Sequence, residues 1–354
     1  MKKNKKALIL GITGQTGSYL AKHLINEGYY VFGTRRRTST FPLDTNKLEQ
    51  LIDFKKFFNK QLFLKYGDIT DLSAIRDLVY EIKPDEIYNL AAQSFVKVSF
   101  DMPYYTTDAN SQGLINILEI IKNFKNISKK RIKFYQASTS EMFGNTSLNK
   151  INENTPMNPV SPYGASKLFS YHMVRIYRDA YNLFLTNGIL FNHESPFRTE
   201  HFVTKKITKG IANIYFGNQK KLYLGNLDAR RDWGHAEDYA RAIYKILNLN
   251  KPTDIIVARG RSYSIREFIQ ECFNFLQIKI NFIGKGLNEK VVDENGKIWI
   301  EVKKEYFRPL EIDNLNGDNK KFMKLVKNFK FNYDFKSLVR DMMEYDMKAA
   351  KIKK

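Results

Sequence analysis

Two side chains that could share one acid–base task lie four residues apart in the segment SPYGASK. A helix would place Tyr163 and Lys167 on one face. A lysine ammonium one turn away would lower the pKa of the phenol, which could then accept a proton from a hydroxyl group. Tyr and Lys are common on helices, so the pair alone is a weak signal. The segment STSE upstream, with Thr139 and Glu141, and Pro162 at an early helical position make it stronger.

A second candidate site is the glycine-rich stretch ALILGITGQTG. Gly11, Gly14 and Gly17 are spaced three residues apart, after an apolar run typical of a buried strand and before a helical pattern. In a strand–loop–helix unit the backbone can approach a pyrophosphate closely, and the helix N-terminus faces its charge. No Lys-Ser/Thr pair follows the last glycine, which excludes a P-loop. The stretch therefore predicts a dinucleotide site.

The end of the second predicted strand indicates which dinucleotide. The segment GTRRRTST carries Arg35, Arg36 and Arg37 and no acidic residue. A carboxylate at this point would hold the ribose 2′-hydroxyl of NAD, whereas guanidinium groups suit a 2′-phosphate. The sequence therefore predicts NADP.

The strands and helices that position these residues alternate along the sequence. This alternation predicts an α/β fold with a doubly wound parallel Rossmann sheet. The predicted division is a Rossmann domain at 1–190, rejoined by 232–256, and a smaller C-terminal α/β lobe at 191–231 and 257–354. We expect the site in the cleft between them. The predicted helices span 17–27, 71–82, 108–124, 161–181, 203–216, 232–249 and 264–275, and residues 38–59 are predicted as a polar connection and a helix.

Composition limits the classes that remain. The 354 residues carry a formal net charge of +21, mostly from scattered lysines, which favours anionic partners without indicating a nucleic-acid arm. Cys272 is the only cysteine, so no intrachain disulfide or cysteine metal site is expected. The histidines show no ligand spacing, so no metal is predicted. The lysines ahead of ALIL mimic a secretory signal, but the apolar run is too short and leads into the glycine loop, and no stretch is long enough to span a membrane. We therefore expect a soluble cytoplasmic protein without a membrane partner.

Taken together, the motifs resemble the GDP-mannose 4,6-dehydratase family of extended short-chain dehydrogenases/reductases. The matching runs lie in order from about residue 7 to residue 310. They include GITGQTGSYL, YGDITD, PDEIYNLAAQS, FYQASTSEMFG, SPYGASKL, NGILFNHESP, YLGNLDARRDWGHAEDY and YFRP. The glutamate of STSE separates this family from the sugar epimerases, and dTDP-glucose-type dehydratases have an Asp-Glu pair at that place. Glu141 likewise argues against a 4-ketoreductase.

The resemblance implies roles for four catalytic residues. Tyr163, with Lys167, would deprotonate the sugar C4 hydroxyl while hydride passes to NADP. Glu141 would remove the C5 proton and then protonate the departing C6 hydroxyl, and Thr139 would bond O4. The hydride returns to C6, so no net redox change occurs.

The resemblance also implies the binding residues and the assembly. It assigns the cofactor to Gly11, Gly14, Gln15, Thr16, Gly17, Arg36, Arg37, Asp68, Ile69, Leu90, Ala92, Tyr163, Lys167 and His193. It assigns the GDP-sugar to Ser94, Asn192, Lys206, Arg231 and Arg308. A stretch equivalent to 35–44 reaches a neighbouring subunit's cofactor in this family, which implies a homotetramer.

The chain departs from the family pattern in two runs. SPFRTEHFV stands for the usual SPRRGETFV, and AAQSFVKVSF for AAQSHVAVSF. We expect the changed residues to touch the subunit contact and the sugar pocket. The changed residues are Phe95, Lys97, Phe197, Thr199 and His201. Both GDP-mannose and a GDP-manno-heptose therefore stay open as substrates. A rival from another class is a basic regulator that senses NADP and binds nucleic acid, which the intact catalytic residues disfavour.

Overall fold

A computed structural model describes residues 5–36 and 46–352 of the chain. Its strands are β1 (Lys6–Leu10), β2 (Tyr30–Arg35), β3 (Leu62–Tyr66), β4 (Glu86–Asn89), β5 (Lys133–Thr139), β6 (Phe184–Leu190), β7 (His193–Glu194), β8 (Leu222–Leu224), β9 (Arg230–Arg231), β10 (Gly234–His235), β11 (Ile255–Val257), β12 (Tyr263–Ser264), β13 (Ile280–Ile283), β14 (Lys290–Asp293), β15 (Ile298–Val302) and β16 (Asn314–Leu315). Its α-helices are α1 (Gln15–Asn26), α2 (Asn46–Leu51), α3 (Phe54–Phe57), α4 (Leu72–Ile82), α5 (Val96–Asp101), α6 (Pro103–Thr107), α7 (Gly113–Ser128), α8 (Pro162–Ala180), α9 (Val203–Tyr215), α10 (Ala236–Leu247), α11 (Ile265–Leu276), α12 (Lys320–Leu325) and α13 (Phe335–Ile352).

Seven of these strands form one central sheet in the order β11-β6-β5-β4-β1-β2-β3, and every neighbouring pair is parallel. All seven residues of β6 are buried, as expected for a strand covered by helices on both faces. The sheet confirms the predicted doubly wound α/β fold. β11 pairs with β6 at one edge of this sheet, and α10 packs on α1.

A second apolar cluster surrounds a smaller sheet of order β13-β14-β15-β8. Helices α9, α11 and α13 pack on one another beside it. We call these four strands and three helices the small-sheet region. The helix α13 was not predicted from the sequence; its buried residues include Leu338, Val339, Met342 and Met343.

Two other predicted helices differ from the structure. The helix expected at 38–59 is two short helices where the structure describes it, because Asp53 accepts the Lys56 N–H and starts α3 anew. The helix expected at 232–249 begins only at Ala236, since the residues before it pair as β9 and β10. Both errors come from pairing and capping partners that helical periodicity does not register.

Within the described residues, no helix is long and apolar enough to cross a membrane.

Candidate active site

A cavity of about 240 Å³ lies at the carboxyl ends of the central strands. β1 stands there between β2 and β4, where the strand order reverses and where doubly wound sheets bind ligands. The sequence-predicted residues that line it are Gly11, Gly14, Gln15, Thr16, Gly17, Leu90, Ala92, Ser94, Thr139, Glu141, Tyr163, Lys167, Asn192, His193 and Arg308.

The glycine loop turns sharply between β1 and α1. Gly11 has a φ of +84°, and the Gly14 N–H donates to the Gly11 carbonyl oxygen at 3.1 Å. A Cβ on Gly17 would stand 2.3 Å from that oxygen, so only glycine lets the helix begin this close to the strand. No side chain of the described residues caps the N-terminus of α1, and its first turn lines the cavity. The exposed N–H groups and the helix dipole fit a pyrophosphate.

The first residues of α1 are hydrogen-bonded to the segment that follows β6. The Gln15 side chain donates to the His193 carbonyl oxygen at 3.0 Å and accepts from the Ser195 hydroxyl at 2.7 Å. The His193 ring hydrogen-bonds the Phe191 carbonyl through Nδ1 and the Thr16 hydroxyl through Nε2. Burial lowers the pKa of His193 to about 4, so the ring is neutral at pH 7. Since a carbonyl can only accept, Nδ1 carries the proton and Nε2 accepts from Thr16.

Thr139 and Glu141 come together because β5 ends in a tight turn. Thr139 is the last residue of β5, and a short 3₁₀ turn follows at Ser140–Met142. The Glu141 N–H donates to Thr139 Oγ1 at 3.3 Å. Thr139 and Glu141 are 8% and 6% exposed, so each presents only its tip to the cavity.

Tyr163 reaches the same cavity from the first turn of α8. Ser161 caps that helix by accepting the Gly164 N–H at 3.0 Å, and Pro162 fits its first position. A Cβ on Gly164 would stand 2.7 Å from the Glu141 carbonyl oxygen, so the start of α8 rests directly on the turn after β5. This close approach places the Tyr163 phenol beside Thr139 and Glu141.

The ionisation of Tyr163 differs from the sequence-based expectation. Burial raises its pKa to about 12; the charge of Glu141 adds to this, while the Thr139 hydrogen bond and Arg198 oppose it. Lys167 instead donates to the Ala137 carbonyl at 3.0 Å, and burial lowers the pKa of its ammonium to about 8. The expected lowering of the phenol pKa is therefore not met, because burial disfavours the phenolate and Lys167 is not among the groups that shift this pKa.

Arg198 lines the cavity and was missed by the sequence reasoning. Its Nε lies 3.0 Å from the buried Glu194 carboxylate, and its guanidinium lies 3.4 Å from the centre of the Phe202 ring. Arg198 also counts among the groups that lower the pKa of Tyr163 and His193. The family run SPRRGETFV has two consecutive arginines, and Arg198 matches the second of them. This match is the signal by which the sequence could have indicated Arg198. Other lining residues that the sequence analysis did not name are Lys47, Val96, Ala137, Ser138, Ser140, Leu190, Phe191 and Phe202.

Two residues assigned to the GDP-sugar carry polar atoms available to a ligand. Among the described residues, the buried Asn192 Oδ1 has no hydrogen-bond partner, which favours a ligand donor in the cavity. Arg308 points one guanidinium nitrogen between two carboxylates, 3.8 Å from Glu141 and 3.5 Å from Glu311. Ser94, which is exposed, lies on the same wall.

The other two assigned cations lie behind or beside the lining. Arg231 is 5% exposed and donates to the Glu311 carboxylate and the Ile312 carbonyl, at 2.9 and 2.8 Å. It therefore backs the carboxylate that also faces Arg308. Lys206, in α9, is half-buried with its ammonium 3.5 Å from the centre of the Tyr306 ring.

Some predicted cofactor residues lie outside the cavity lining. Asp68 and Ile69 follow β3; the Asp68 carboxylate accepts from the Thr70 N–H and hydroxyl. The exposed Arg36 follows β2 and donates to the Tyr105 hydroxyl. Arg37 lies outside the described residues.

The residues that depart from the family pattern separate into three settings. Phe197 packs inside the chain, its ring centre 5.8 Å from that of Tyr19 and 5.7 Å from that of Tyr345. Thr199 lines the cavity. The remaining three lie at its rim: Phe95 contacts the rings of His201 and Phe202, and Lys97 is exposed.

Across residues 5–36 and 46–352, no group of three or more His, Cys, Asp and Glu side chains is placed to hold a metal ion.

Comparison with known proteins decides the family. A sequence profile described as GDP-mannose 4,6 dehydratase matches residues 8–342. The chain belongs to the GDP-mannose 4,6-dehydratase family. Curated members include the GDP-mannose 4,6 dehydratase of Cricetulus griseus, 45% identical over 98% of this chain and 92% of its own. The GDP-mannose 4,6-dehydratase of Vibrio cholerae is 44% identical over 90% of this chain and 87% of its own.

Solved structures with low sequence identity share the fold of this dehydratase-family chain. The dTDP-glucose 4,6-dehydratase of Bacillus anthracis, in complex with NAD, has a TM-score of 0.78 at 20% identity, covering 98% of both chains. RMD from Pseudomonas aeruginosa, complexed with NADPH, has a TM-score of 0.73 at 18% identity, covering 97% of this chain and 99% of that one. The extended short-chain dehydrogenase/reductase fold predicted from the motifs is confirmed.

Proposed function

We propose that the protein converts a GDP-manno-configured sugar to its 4-keto-6-deoxy product by internal hydride transfer, with NADP as a bound cofactor. The observation that carries this proposal is the meeting of Thr139, Glu141 and Tyr163 at one buried wall of the cavity. Membership of the GDP-mannose 4,6-dehydratase family supports the substrate class.

The residues of the chain fit a dinucleotide at the glycine loop. The close approach of Gly17 to Gly11 and the uncapped start of α1 make a cradle for its pyrophosphate. When bound, the cofactor accepts the C4 hydride, later returns it to C6, and in its oxidised form supplies a positive charge to the site. Its choice as NADP rests on Arg36 and Arg37, which suit a 2′-phosphate.

Tyr163 accepts the proton of the C4 hydroxyl, and Thr139 holds O4. With a pKa of about 12, the phenol is neutral at pH 7 and must become more acidic when the site is filled. Positive charge near the phenol acts in that direction, and Arg198 already does so. Lys167 lines the same cavity one helical turn from Tyr163, with its ammonium donating to the Ala137 carbonyl.

Glu141 acts twice. Oxidation at C4 makes the C5 proton acidic, and the Glu141 carboxylate removes it. The same group then gives that proton to the C6 hydroxyl, which leaves as water and creates a C5–C6 double bond. Return of the hydride to C6 requires a proton at C5, and the proton that Tyr163 took from the C4 hydroxyl balances it. Because one carboxylate serves as base and then as acid, the step needs no metal.

The diphosphate end of the substrate is assigned to Arg308, Lys206 and Arg231, and a sugar donor to the unpartnered Asn192 oxygen. Guanidinium groups and ammonium groups both bind phosphates through charge-assisted hydrogen bonds. Thr199 adds a side chain to the cavity wall where the family pattern has glycine. Both a hexose and a heptose remain candidates for the sugar. We further propose a cytoplasmic homotetramer with no nucleic-acid or membrane partner. Each chain would have two domains, a Rossmann domain at 1–190 and 232–256 and a nucleotide-sugar-binding lobe at 191–231 and 257–354.

The deciding experiment compares GDP-mannose and a GDP-manno-heptose side by side, with NADP-loaded protein and no added reductant. We expect an NMR-visible 4-keto-6-deoxy product from at least one of them. If folded, NADP-loaded protein gives no such product from either sugar, the proposal is wrong. Salt-sensitive binding of DNA or RNA would instead favour the regulator.

A further inference from the structure

Lys97 lies where the chain departs from the family pattern, and it makes a contact at the rim of the cavity. It belongs to α5, which packs on α8, the helix that carries Tyr163. Its ammonium donates to the Glu305 carbonyl oxygen at 2.9 Å. Glu305 lies in a short 3₁₀ turn that follows β15 of the small-sheet region. The hydrogen bond therefore joins the central-sheet side of the cavity to the small-sheet side.

The turn leads directly to Arg308, and we call residues 304–308 the Arg308 segment. Two contacts hold this segment from the small-sheet side. Lys206 places its ammonium over the Tyr306 ring, and a Cβ on Gly225 would stand 2.5 Å from the Tyr306 carbonyl oxygen. Lys97 holds it from the opposite side.

Arg308 depends on the position of this segment for its place in the cavity. Its side chain is 29% exposed and stands 3.8 Å from the catalytic Glu141. A long side chain in a partly exposed place loses much rotamer freedom when it is held, so a fixed backbone lowers the cost of presenting it.

We propose that Lys97 is a positioning residue that ties the Arg308 segment across the cavity and so sets Arg308 for the diphosphate of the substrate. This inference rests on the proposed function for the identity of the ligand. The tie itself is a property of the chain alone and can be measured without any ligand.

Lys97 also acts on Lys206 through charge. Burial and the charge of Lys97 together lower the pKa of Lys206 to about 8, and Glu305 acts in the opposite direction. Removing the charge of Lys97 therefore raises the pKa of Lys206. Lys97→Arg keeps both the charge and a donor, whereas Lys97→Ala removes both.

The first measurement is hydrogen exchange of the full-length protein without ligand. The amides of Tyr306 and Phe307 donate to Lys303 and Lys304 carbonyls inside the turn, so they report its opening. We expect faster exchange in peptides covering 304–309 of Lys97→Ala and wild-type rates in Lys97→Arg. Lys304→Ala is the matched control, because it removes one exposed lysine charge from the same turn.

The second measurement is steady-state turnover of the GDP-sugar that the wild type accepts. We expect Lys97→Ala to raise KM about fivefold, the effect of one ordinary hydrogen bond, with kcat within about twofold. The pH at which KM begins to rise moves upward in Lys97→Ala, since Lys206 then keeps its proton longer. Lys97→Arg restores both values, which a general loss of stability would not allow.

The outcomes separate the two proposals. Unchanged exchange and unchanged KM in Lys97→Ala overturn the tie. Faster exchange with no turnover of any GDP-sugar by the wild type supports the tie and counts against the proposed function. If kcat falls by the same factor as KM rises, and Lys97→Arg restores neither, Lys97 acts only through folding. That outcome also overturns the inference.

Discussion

The catalytic wall and the rim of the cavity are built in opposite ways. Thr139, Glu141 and Tyr163 are each less than a tenth exposed and are fixed by short backbone contacts between β5 and α8. At the rim, Arg308 and Lys206 are partly exposed; Arg308 stands between two carboxylates and Lys206 over the Tyr306 ring. Chemistry at the wall needs groups placed within fractions of an ångström, whereas a diphosphate can be held by flexible cations. The wall should therefore control kcat, and the rim should control KM.

The largest effect is expected from Glu141→Gln. An amide cannot take the C5 proton or give one to the C6 hydroxyl, so kcat should fall about 10³-fold or more while the fold is kept. NMR of the 4-keto-6-deoxy product and thermal unfolding measure the two properties. Glu344→Gln, on the exposed face of α13, is the control and should match the wild type. Activity near the wild-type level would remove Glu141 from the mechanism.

Tyr163→Phe should lower kcat about 10²- to 10³-fold, because it removes the proton acceptor for the C4 hydroxyl. The substituted ring fills the same buried space and loses only the hydrogen bond with Thr139. KM should therefore change little, as the comparison of wall and rim requires. A mainly KM-based loss, measured by initial rates over a range of GDP-sugar, would contradict it.

Arg308→Ala tests the other side of the comparison. Loss of a charged hydrogen-bond donor to the diphosphate should raise KM about 10- to 100-fold and lower kcat much less. Its 3.8 Å approach to Glu141 allows a smaller effect on rate as well. Initial-rate kinetics separate the two, and Arg340→Ala, exposed on α13, controls for loss of one positive charge. A fall confined to kcat would assign Arg308 to the wall.

The smallest effect is expected from pH at the rim. Lys206 has a pKa of about 8, so it is protonated below pH 8 and loses its charge as the pH rises through that value. KM should therefore rise by a few-fold between about pH 7 and pH 9 in the wild type. Lys206→Arg keeps its charge over this range and should remove the rise, which pH-dependent initial rates will show. If the rise persists in Lys206→Arg, another group causes it.

Local sequence was enough for the catalytic wall because its parts are local. The end of β5 carries Thr139 and Glu141 two residues apart, and Ser161 and Pro162 start the helix that carries Tyr163. Glycines where a side chain would collide with backbone mark the two close approaches, at Gly17 and Gly164. The parallel sheet then brings the ends of β1, β5 and β6 to one edge.

Long-range packing decided the rest. Arg198 acts in the cavity because the buried Glu194 and the Phe202 ring hold it there, and α13 forms because α9 and α11 cover its apolar face. The pKa of Tyr163 is raised because burial, which no spacing records, disfavours the charged phenolate.

The sequence by itself predicted the alternation of strands and helices in the central sheet, the glycine loop and the candidate acid–base groups, since each follows from residue type and near-neighbour spacing. The tertiary structure alone decided which cations face the cavity, which stand behind it, and that Lys97 reaches the Arg308 segment from the opposite side. These depend on distances between elements separated by up to 208 residues, and only the folded chain fixes such distances.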